Sequence, residues 1–395
     1  MQDNTAAARH GISAYPLEFT GSGGEYFRVW IVNVLLSIVT LGFYTPLARR
    51  RTAQYFYGHT MVADSPLEFT AQTRRMLVGF ILFVVLYAAF KLAAETGQDS
   101  AVTVMLIGGA VLAPYFWGSA MRFRFNATRW RGVRLQFTAR WGEVYRASWP
   151  AFLLALFWSG GLALFGALMP EAKGGAGVGR AFAVLGATLL LSLLCAIRLE
   201  YNYKSLMVAR GRIGGQPGRW KPQFSDFVRI WLATAGVFLV AVLLVSVVLV
   251  AGVGGSFALL KGMNEGGARA VLVGIAVGLL SIFLLFLASA PARAYREARM
   301  FQLVWNNIGV SHVARFRCGL KPWRYVGLRV KNVLLSLLTL GFYRPFARVS
   351  EYRMKTDSVT LHVKGGLDQL AGQLAREEQA VGDAIADAIG LELVG

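Results

Sequence analysis

The chain has 395 residues, of which 55% are hydrophobic and only 16% charged, and a mean hydropathy of +0.49. Those values exclude an ordinary soluble domain and a disordered chain, and they point to a polytopic membrane protein. A net charge of +20 would suggest nucleic acid as the partner of a soluble chain, but no groove-reading fold or single-strand platform is legible, so no nucleic-acid partner is expected.

Residues 1–24 form a polar leader containing Asp3 and Arg9, without the pattern of a cleavable signal peptide. The leader ends in Leu17-Glu18-Phe19-Thr20 and a glycine turn, Gly21-Ser22-Gly23-Gly24. Alternating apolar and polar residues next to turn formers predict a short strand. The tetrapeptide returns as Leu67-Glu68-Phe69-Thr70 and as Leu135-Gln136-Phe137-Thr138. An aromatic pair stands upstream of each later copy (Tyr55 and Tyr57; Phe123 and Phe125), with weaker echoes from Tyr201 and from Trp305. Small cytoplasmic β-hairpin modules between membrane hairpins are one interpretation. The other is that these loops simply cap helix ends with arginines and interfacial aromatics.

Six apolar runs are long enough to cross a bilayer: Met76–Ala94, Ala101–Met121, Trp149–Met169, Ala181–Ile197, Phe227–Gly252 and Ala268–Pro291. Two further helices belong to a repeat. Asn33 to Arg49, NVLLSIVTLGFYTPLAR, returns 299 residues later at Asn332 to Arg348 as NVLLSLLTLGFYRPFAR, with thirteen of seventeen positions identical. Gly42 and Pro46, and Gly341 and Pro345, break each copy part-way. Asn33, Ser37 and Thr40, like Asn332, Ser336 and Thr339, fall on one helical face. Two roles stay open for these faces: interhelical hydrogen bonding, or a pseudo-symmetric pair lining a path or binding site. The predicted fold is therefore an all-α polytopic membrane protein with six transmembrane helices, two broken or re-entrant helices, and hairpin modules. A membrane domain is expected over residues 1–365, with repeat copies at 25–62 and 324–361, followed by an amphipathic or flexible tail at 366–395.

Basic residues alternate between sides. Segments 49–75, 122–148, 198–226 and 292–324 hold 5, 7, 6 and 7 Lys and Arg, whereas 91–100, 170–180 and 261–269 hold 1, 2 and 2. This is a positive-inside pattern with the basic segments cytoplasmic. Arg49, Arg50, Arg51, Arg129, Arg131, Arg134, Arg210 and Arg315 make up the expected basic cytoplasmic face, suited to anionic headgroups. If all eight apolar stretches crossed, the two copies would place equivalent basic exits on opposite sides. Re-entrant or strongly tilted copies avoid this and leave both termini cytoplasmic; the alternative is that the C-terminal copy crosses and breaks the charge rule.

No constellation of nucleophile, base and metal ligands is present, so the chain is not expected to be an enzyme or to hold a metal or cofactor. Cys195 and Cys318 provide no disulfide or metal framework. Glu200 near Arg198 and Glu297 beside Arg296 suggest local ion pairs, and Lys91 snorkels from a span end.

The run from Gly21 to Thr60, GSGGEYFRVWIVNVLLSIVTLGFYTPLARRRTAQYFYGHT, resembles the YjgN-like family of bacterial inner-membrane proteins. Glu25, Tyr26, Phe27, Arg28, Trp30, Asn33, Thr40, Leu41, Gly42, Tyr44 and Tyr55 to Gly58 carry the resemblance. It covers residues 15 to about 365. Thr45-Pro46-Leu47 and His59 depart from the family's pattern. The resemblance implies a multi-pass protein of the inner membrane and brings no activity or catalytic residue. Two functions compete: a transporter or channel with a path between the repeat copies, and a non-transporting scaffold that binds anionic lipid or a membrane protein partner.

Overall fold

The computed structural model describes residues 12–169, 175–260, 268–310, 314–364 and 372. Its organising element is a closed antiparallel barrel of ten short strands. Five strand–helices–strand units follow one another along the chain. The first runs β1 (Ile12–Phe19), α1 (Gly23–Val39), α2 (Thr45–Gly58) and β2 (Thr60–Val62). The second runs β3 (Ser65–Phe69), α3 (Thr73–Glu95), α4 (Asp99–Asn126) and β4 (Thr128–Trp130). The third has β5 (Val133–Phe137), a short α5 (Trp141–Ala147), α6 (Trp149–Leu168), α7 (Gly175–Ala209) and β6 (Gly211–Ile213). β7 (Gln216–Trp220), α8 (Phe224–Leu260), α9 (Ala268–Asn307) and β8 (Ile308–Val310) form the fourth. The fifth is β9 (Ala314–Cys318), α10 (Pro322–Leu338), α11 (Arg344–Thr356) and β10 (Val359–Lys364).

Each strand pairs with its neighbours in sequence, and β1 pairs with β10 to close the ring. Connections at one rim are the helical hairpins. At the other rim, three described connections are two-residue turns, at Ala63-Asp64, Arg131-Gly132 and Gly214-Gly215. All six of those residues have positive φ, from 49° to 82°. Such turns twist in the same sense as the strands they join, and glycine enters that region without steric cost.

The barrel overturns the all-α expectation, because the strand segments read around Leu17, Leu67 and Leu135 do not stand as separate hairpin modules. Isolated hairpins are marginal in water and leave edges unpaired. Joining five of them in a ring pairs every edge, and the alternation of side chains then gives the ring an apolar interior. Leu17, Trp130, Val133, Phe137, Ala314, Val359, Leu361 and Val363 are buried.

Among the described residues six helices, Thr73–Glu95, Asp99–Asn126, Trp149–Leu168, Gly177–Ala209, Phe224–Val247 and Gly278–Asn307, are long and apolar enough to cross a membrane. Several continue well past the apolar runs legible in sequence. Segments such as Arg198–Ala209 and Arg293–Asn307, taken there for loops, are helical extensions that carry the chain from the membrane to the barrel. Helix α9 passes through Pro291 without ending.

The repeat copies are the short hairpins α1–α2 and α10–α11. Each turns at a leucine and glycine with positive φ: Leu41 (49°) and Gly42 (91°) in one, Leu340 (51°) and Gly341 (94°) in the other. Leu41 and Leu340 are 90% and 91% exposed at the tips, which water would penalise and lipid would not. The copies are neighbours in space, with α1 packed on α11. Phe27 stacks near Phe346 with ring centroids 5.8 Å apart, and Arg348 donates to the Tyr26 hydroxyl at 3.2 Å. Burial, and secondarily the nearby Glu25, push the Tyr55 phenol up to about 12, so Tyr55 is a neutral donor to the Ser22 carbonyl at 2.8 Å. The expected tail at 366–395 lies outside the described residues apart from Gly372.

Candidate ligand-binding cavity

The strand period decides what faces the barrel axis. Val62, Leu67, Leu135, Ile213, Val310 and Phe316 point inward together with Leu17, Trp130 and Leu361, and they surround a cavity of about 360 Å³. Residues between them in the strands, such as Glu68, Arg212 and Arg315, are exposed. At the helix-bearing rim the cavity is bounded by Phe301 and Trp305 of α9 and by Tyr352, Lys355 and Thr356 of α11. Trp305 meets Phe316 edge-on at 5.0 Å, which fixes the wall between the α9 extension and β9.

The polar groups on this wall are mostly engaged already. The Trp130 indole donates to the Val62 carbonyl at 3.0 Å. Thr60 donates to the Phe56 carbonyl at 2.6 Å and lies 2.9 Å from the Tyr352 hydroxyl. Thr128 donates to the Arg124 carbonyl at 2.9 Å. What remains toward the space is hydrocarbon and aromatic surface, with the Lys355 ammonium at one end. Volume and lining fall within the range of small-molecule sites.

A second cavity, about 570 Å³ and charged, lies beside that end. Lys204, Arg293, Arg296, Arg329 and Lys355 face Glu200 and Glu297 across it, and Phe301 and Lys355 line both cavities. Glu200 accepts from Arg296 at 3.2 Å, from the Trp231 indole at 3.0 Å, and pairs with Lys204 at 3.4 Å. Lys355 donates to Glu297 at 2.7 Å. The local pairings read from sequence are therefore replaced by pairings between helices, while Arg198 lies over the Tyr201 and Phe224 rings instead. Among the described residues no group of three or more His, Cys, Asp and Glu could hold a metal ion.

A ten-strand barrel with helical hairpins on one rim accompanies a match over residues 14–388 to the family described as bacterial protein of unknown function (DUF898). The chain belongs to this family. The match runs past residue 365, where the sequence resemblance had been expected to stop. Inner membrane protein YjgN of Salmonella typhimurium LT2 is 23% identical over 373 residues, 92% of both chains. Inner membrane protein YjgN of Escherichia coli O157:H7 is 25% identical over 151 residues, 38% of this chain and 37% of that relative. The Escherichia coli K12 protein of the same name aligns with the same identity and coverage, so the aligned region spans just over a third of either Escherichia coli relative. No solved structure matches. With six apolar helices, this family member is a multi-pass inner-membrane protein of unknown function.

In the family member, the polar faces of the two copies do not meet each other. Asn33 is buried and donates to the Ala48 carbonyl at 3.4 Å, within its own hairpin. Asn332 donates to the Ala347 carbonyl at 3.3 Å, to Ser350 at 3.1 Å and to Glu351 at 2.9 Å. Glu351 also takes a direct ion pair from Arg329. Thr40 and Thr339 each donate to a carbonyl one turn back (Leu36 and Leu335, both 2.7 Å) and accept from Tyr44 and Tyr343. Ser37 and Ser336 are half-buried, and their carbonyls accept from Gly42 and Gly341. Pro46 and Pro345 sit in the first turns of α2 and α11, where the missing N–H costs nothing.

The basic face is spread over barrel and helices. Arg50 donates to Thr73 at 2.5 Å, Arg51 lies 5.6 Å from the Tyr44 ring, and Arg210 pairs with Glu143. Arg131 reaches across to the neighbouring β2–β3 hairpin, donating to Ser65 at 2.8 Å and to the Ala63 carbonyl at 3.2 Å. Arg129 and Arg134 face each other in register on β4 and β5, Arg315 lies on β9, and Arg49 follows the α2 entry. The two cavities escaped sequence reasoning because the wall of one converges from all five units and that of the other from the last three. The signal that was available is the aromatic pair before each strand, since Phe301 and Trp305 belong to one such cluster.

Proposed function

We propose that the chain is a non-transporting, non-catalytic membrane protein whose barrel takes up the apolar chain of an amphiphile at the cytoplasmic membrane face. The observation that carries this is the apolar cavity in the barrel, which reaches the helix-bearing rim at Phe301, Trp305, Tyr352 and Lys355. An alkyl or polyisoprenoid chain gains roughly 0.8 kcal/mol for each methylene it removes from water, and the engaged polar groups on the wall ask nothing further of it. A solute path between the repeat copies is not favoured, because Asn33 and Asn332 are buried and bonded inside their own hairpins.

The full-length protein in nonionic detergent should enhance the fluorescence of parinaric acid, a chain that emits strongly only in an apolar site. Ala314→Phe and Leu135→Trp, which fill the cavity from different strands, should each reduce that signal at least about tenfold while leaving the thermal midpoint within a few degrees. Undiminished binding by both folded variants would refute the barrel as the site.

The basic helix extensions and the barrel are on one side of the spans, and the charge rule makes that side cytoplasmic. On this reading β1 and β10, which pair from Ile12↔Lys364 onward, lie on that side too. Impermeant maleimide applied to whole cells should label Asp99→Cys and spare Asp64→Cys, with Cys195 and Cys318 replaced. The reverse pattern would invert the orientation.

A further inference from the structure

We infer that the charged cavity between α7, α9, α10 and α11 binds the phosphate of a lipid headgroup whose chain enters the barrel. This rests on the assignment of the barrel as an apolar-chain site and adds the chemistry of the ligand's other end. The two cavities share Phe301 and Lys355 and so lie side by side, and the inferred amphiphile passes these two side chains, its chain inside the strands and its head among the helix extensions.

Charge selects the head. Five cations face the cavity against Glu200 and Glu297. Even with Glu351, which neutralises Arg329 from outside the lining, two positive charges remain uncompensated. Arg293 is paired with no carboxylate among the described residues and lies over the Phe286 ring at 5.0 Å. Ala290 and Ala294, both buried, leave room beside it. Arginine and lysine in such a pocket, at the junction of apolar spans and a basic layer, suit a phosphate.

The internal repeat supplies an independent observation. At an offset of 299 residues, Arg329, Glu351 and Lys355 stand where the first copy has Trp30, Thr52 and Phe56. The neighbouring scaffold positions agree: Tyr26 and Tyr325, Asn33 and Asn332, Gly42 and Gly341, Pro46 and Pro345. One hairpin thus folds with apolar and hydroxyl residues at the very positions that are charged in the other. Ion pairs, whether buried or, as here, partly exposed, are seldom more stabilising than well-packed apolar side chains. The charges in the second copy therefore need a reason besides packing, and a phosphate in the adjoining cavity is that reason.

Native mass spectrometry of the full-length protein in nonionic detergent tests this with dioleoyl phosphatidic acid, dioleoyl phosphatidylcholine and glycerol 3-phosphate. Phosphatidic acid should bind about tenfold or more tightly than phosphatidylcholine, whose choline covers the phosphate, reflecting a charge-assisted bond. Arg293→Gln should remove most of that preference. Arg293→Lys should retain part of it, and Arg212→Gln, the same charge change on the barrel's exposed face, should not alter it. No preference in the native protein, or a preference that survives Arg293→Gln, overturns the proposal. Glycerol 3-phosphate competing as well as the lipid would overturn the lipid source. Ala314→Phe separates the two assignments: if it abolishes parinaric acid binding and Arg293→Gln changes nothing, the barrel site stands and the headgroup site falls. If phosphatidic acid preference persists with no chain uptake in any form, the barrel assignment falls instead.

Discussion

Truncating the chain after Ser358 should destroy the folded barrel, whereas truncating it after Lys364 should leave it closed. Strand β10 is joined on one side to β1, from Ile12↔Lys364 to Pro16↔Thr360, and on the other to β9, from Val359↔Cys318 to Val363↔Ala314. Its loss leaves two long unpaired edges and strips Val359, Leu361 and Val363 from the core. Each of those side chains stabilises by roughly 1.5–3 kcal/mol on burial, so their sum approaches the whole stability of a typical domain, about 5–15 kcal/mol. The 1–364 protein should run as a single species on size exclusion in detergent and bind parinaric acid as the full chain does. The 1–358 protein should aggregate or lose binding. Equal behaviour of the two would mean that closure between β1 and β10 contributes little.

Glu351→Leu should be among the most damaging single substitutions in the helical layer. The Glu351 side chain is only 9% exposed and accepts from both Arg329 and Asn332. Removing it leaves a guanidinium without its partner and a buried amide with a weaker set of acceptors. Breaking a fully buried pair costs about 3–5 kcal/mol. Because Arg329 is 41% exposed, water recovers part of that, and about 2–3 kcal/mol is expected. The double change Arg329→Trp with Glu351→Thr copies the first hairpin, which packs Trp30 and Thr52 at these positions. It should regain much of the loss, giving a coupling of about 1 kcal/mol or more in a double-mutant cycle of thermal midpoints. Strict additivity of the two single changes would show that the pair is not energetically linked.

The six spans were legible because hydropathy over about twenty residues is a local property, and it fixes Thr73–Glu95 or Trp149–Leu168 almost by itself. The break in each copy was legible because Gly42 and Pro46 interrupt an apolar run. Leu17, Leu67 and Leu135 marked strands because each sits in an alternating tetrapeptide. β6 and β7 carry no such mark: GRI and QPGRW, separated by Gly214-Gly215, hold too few apolar residues to show a period. The closing pair could not be seen at all. Tyr15 meets Leu361 across 346 residues, and nothing in either strand names its partner. The Asn33 and Asn332 faces are polar in the sequence itself, but a helical wheel does not say whether the partner is the opposite copy or the same hairpin. Likewise the cavities depend on which extensions converge, a matter of distance that sequence spacing does not contain.

The unequal lengths of the hairpins have a consequence for the bilayer itself. In α1–α2 and α10–α11 the helices have 17, 14, 17 and 13 residues, about 20–25 Å each at 1.5 Å per residue, and part of that length is spent packing above the barrel. A hydrocarbon core is about 30 Å thick, so each of these four helices is too short to cross it, and hairpins that enter tip first would end inside it. Because the two short hairpins are neighbours, such an entry would leave a sector on one flank where the far leaflet is unoccupied. The protein would then displace more lipid from the leaflet nearest the barrel than from the other, on one flank only. A body of that shape is a wedge, and the membrane around it should be thinned beneath the Leu41 and Leu340 tips and inclined to bend toward them.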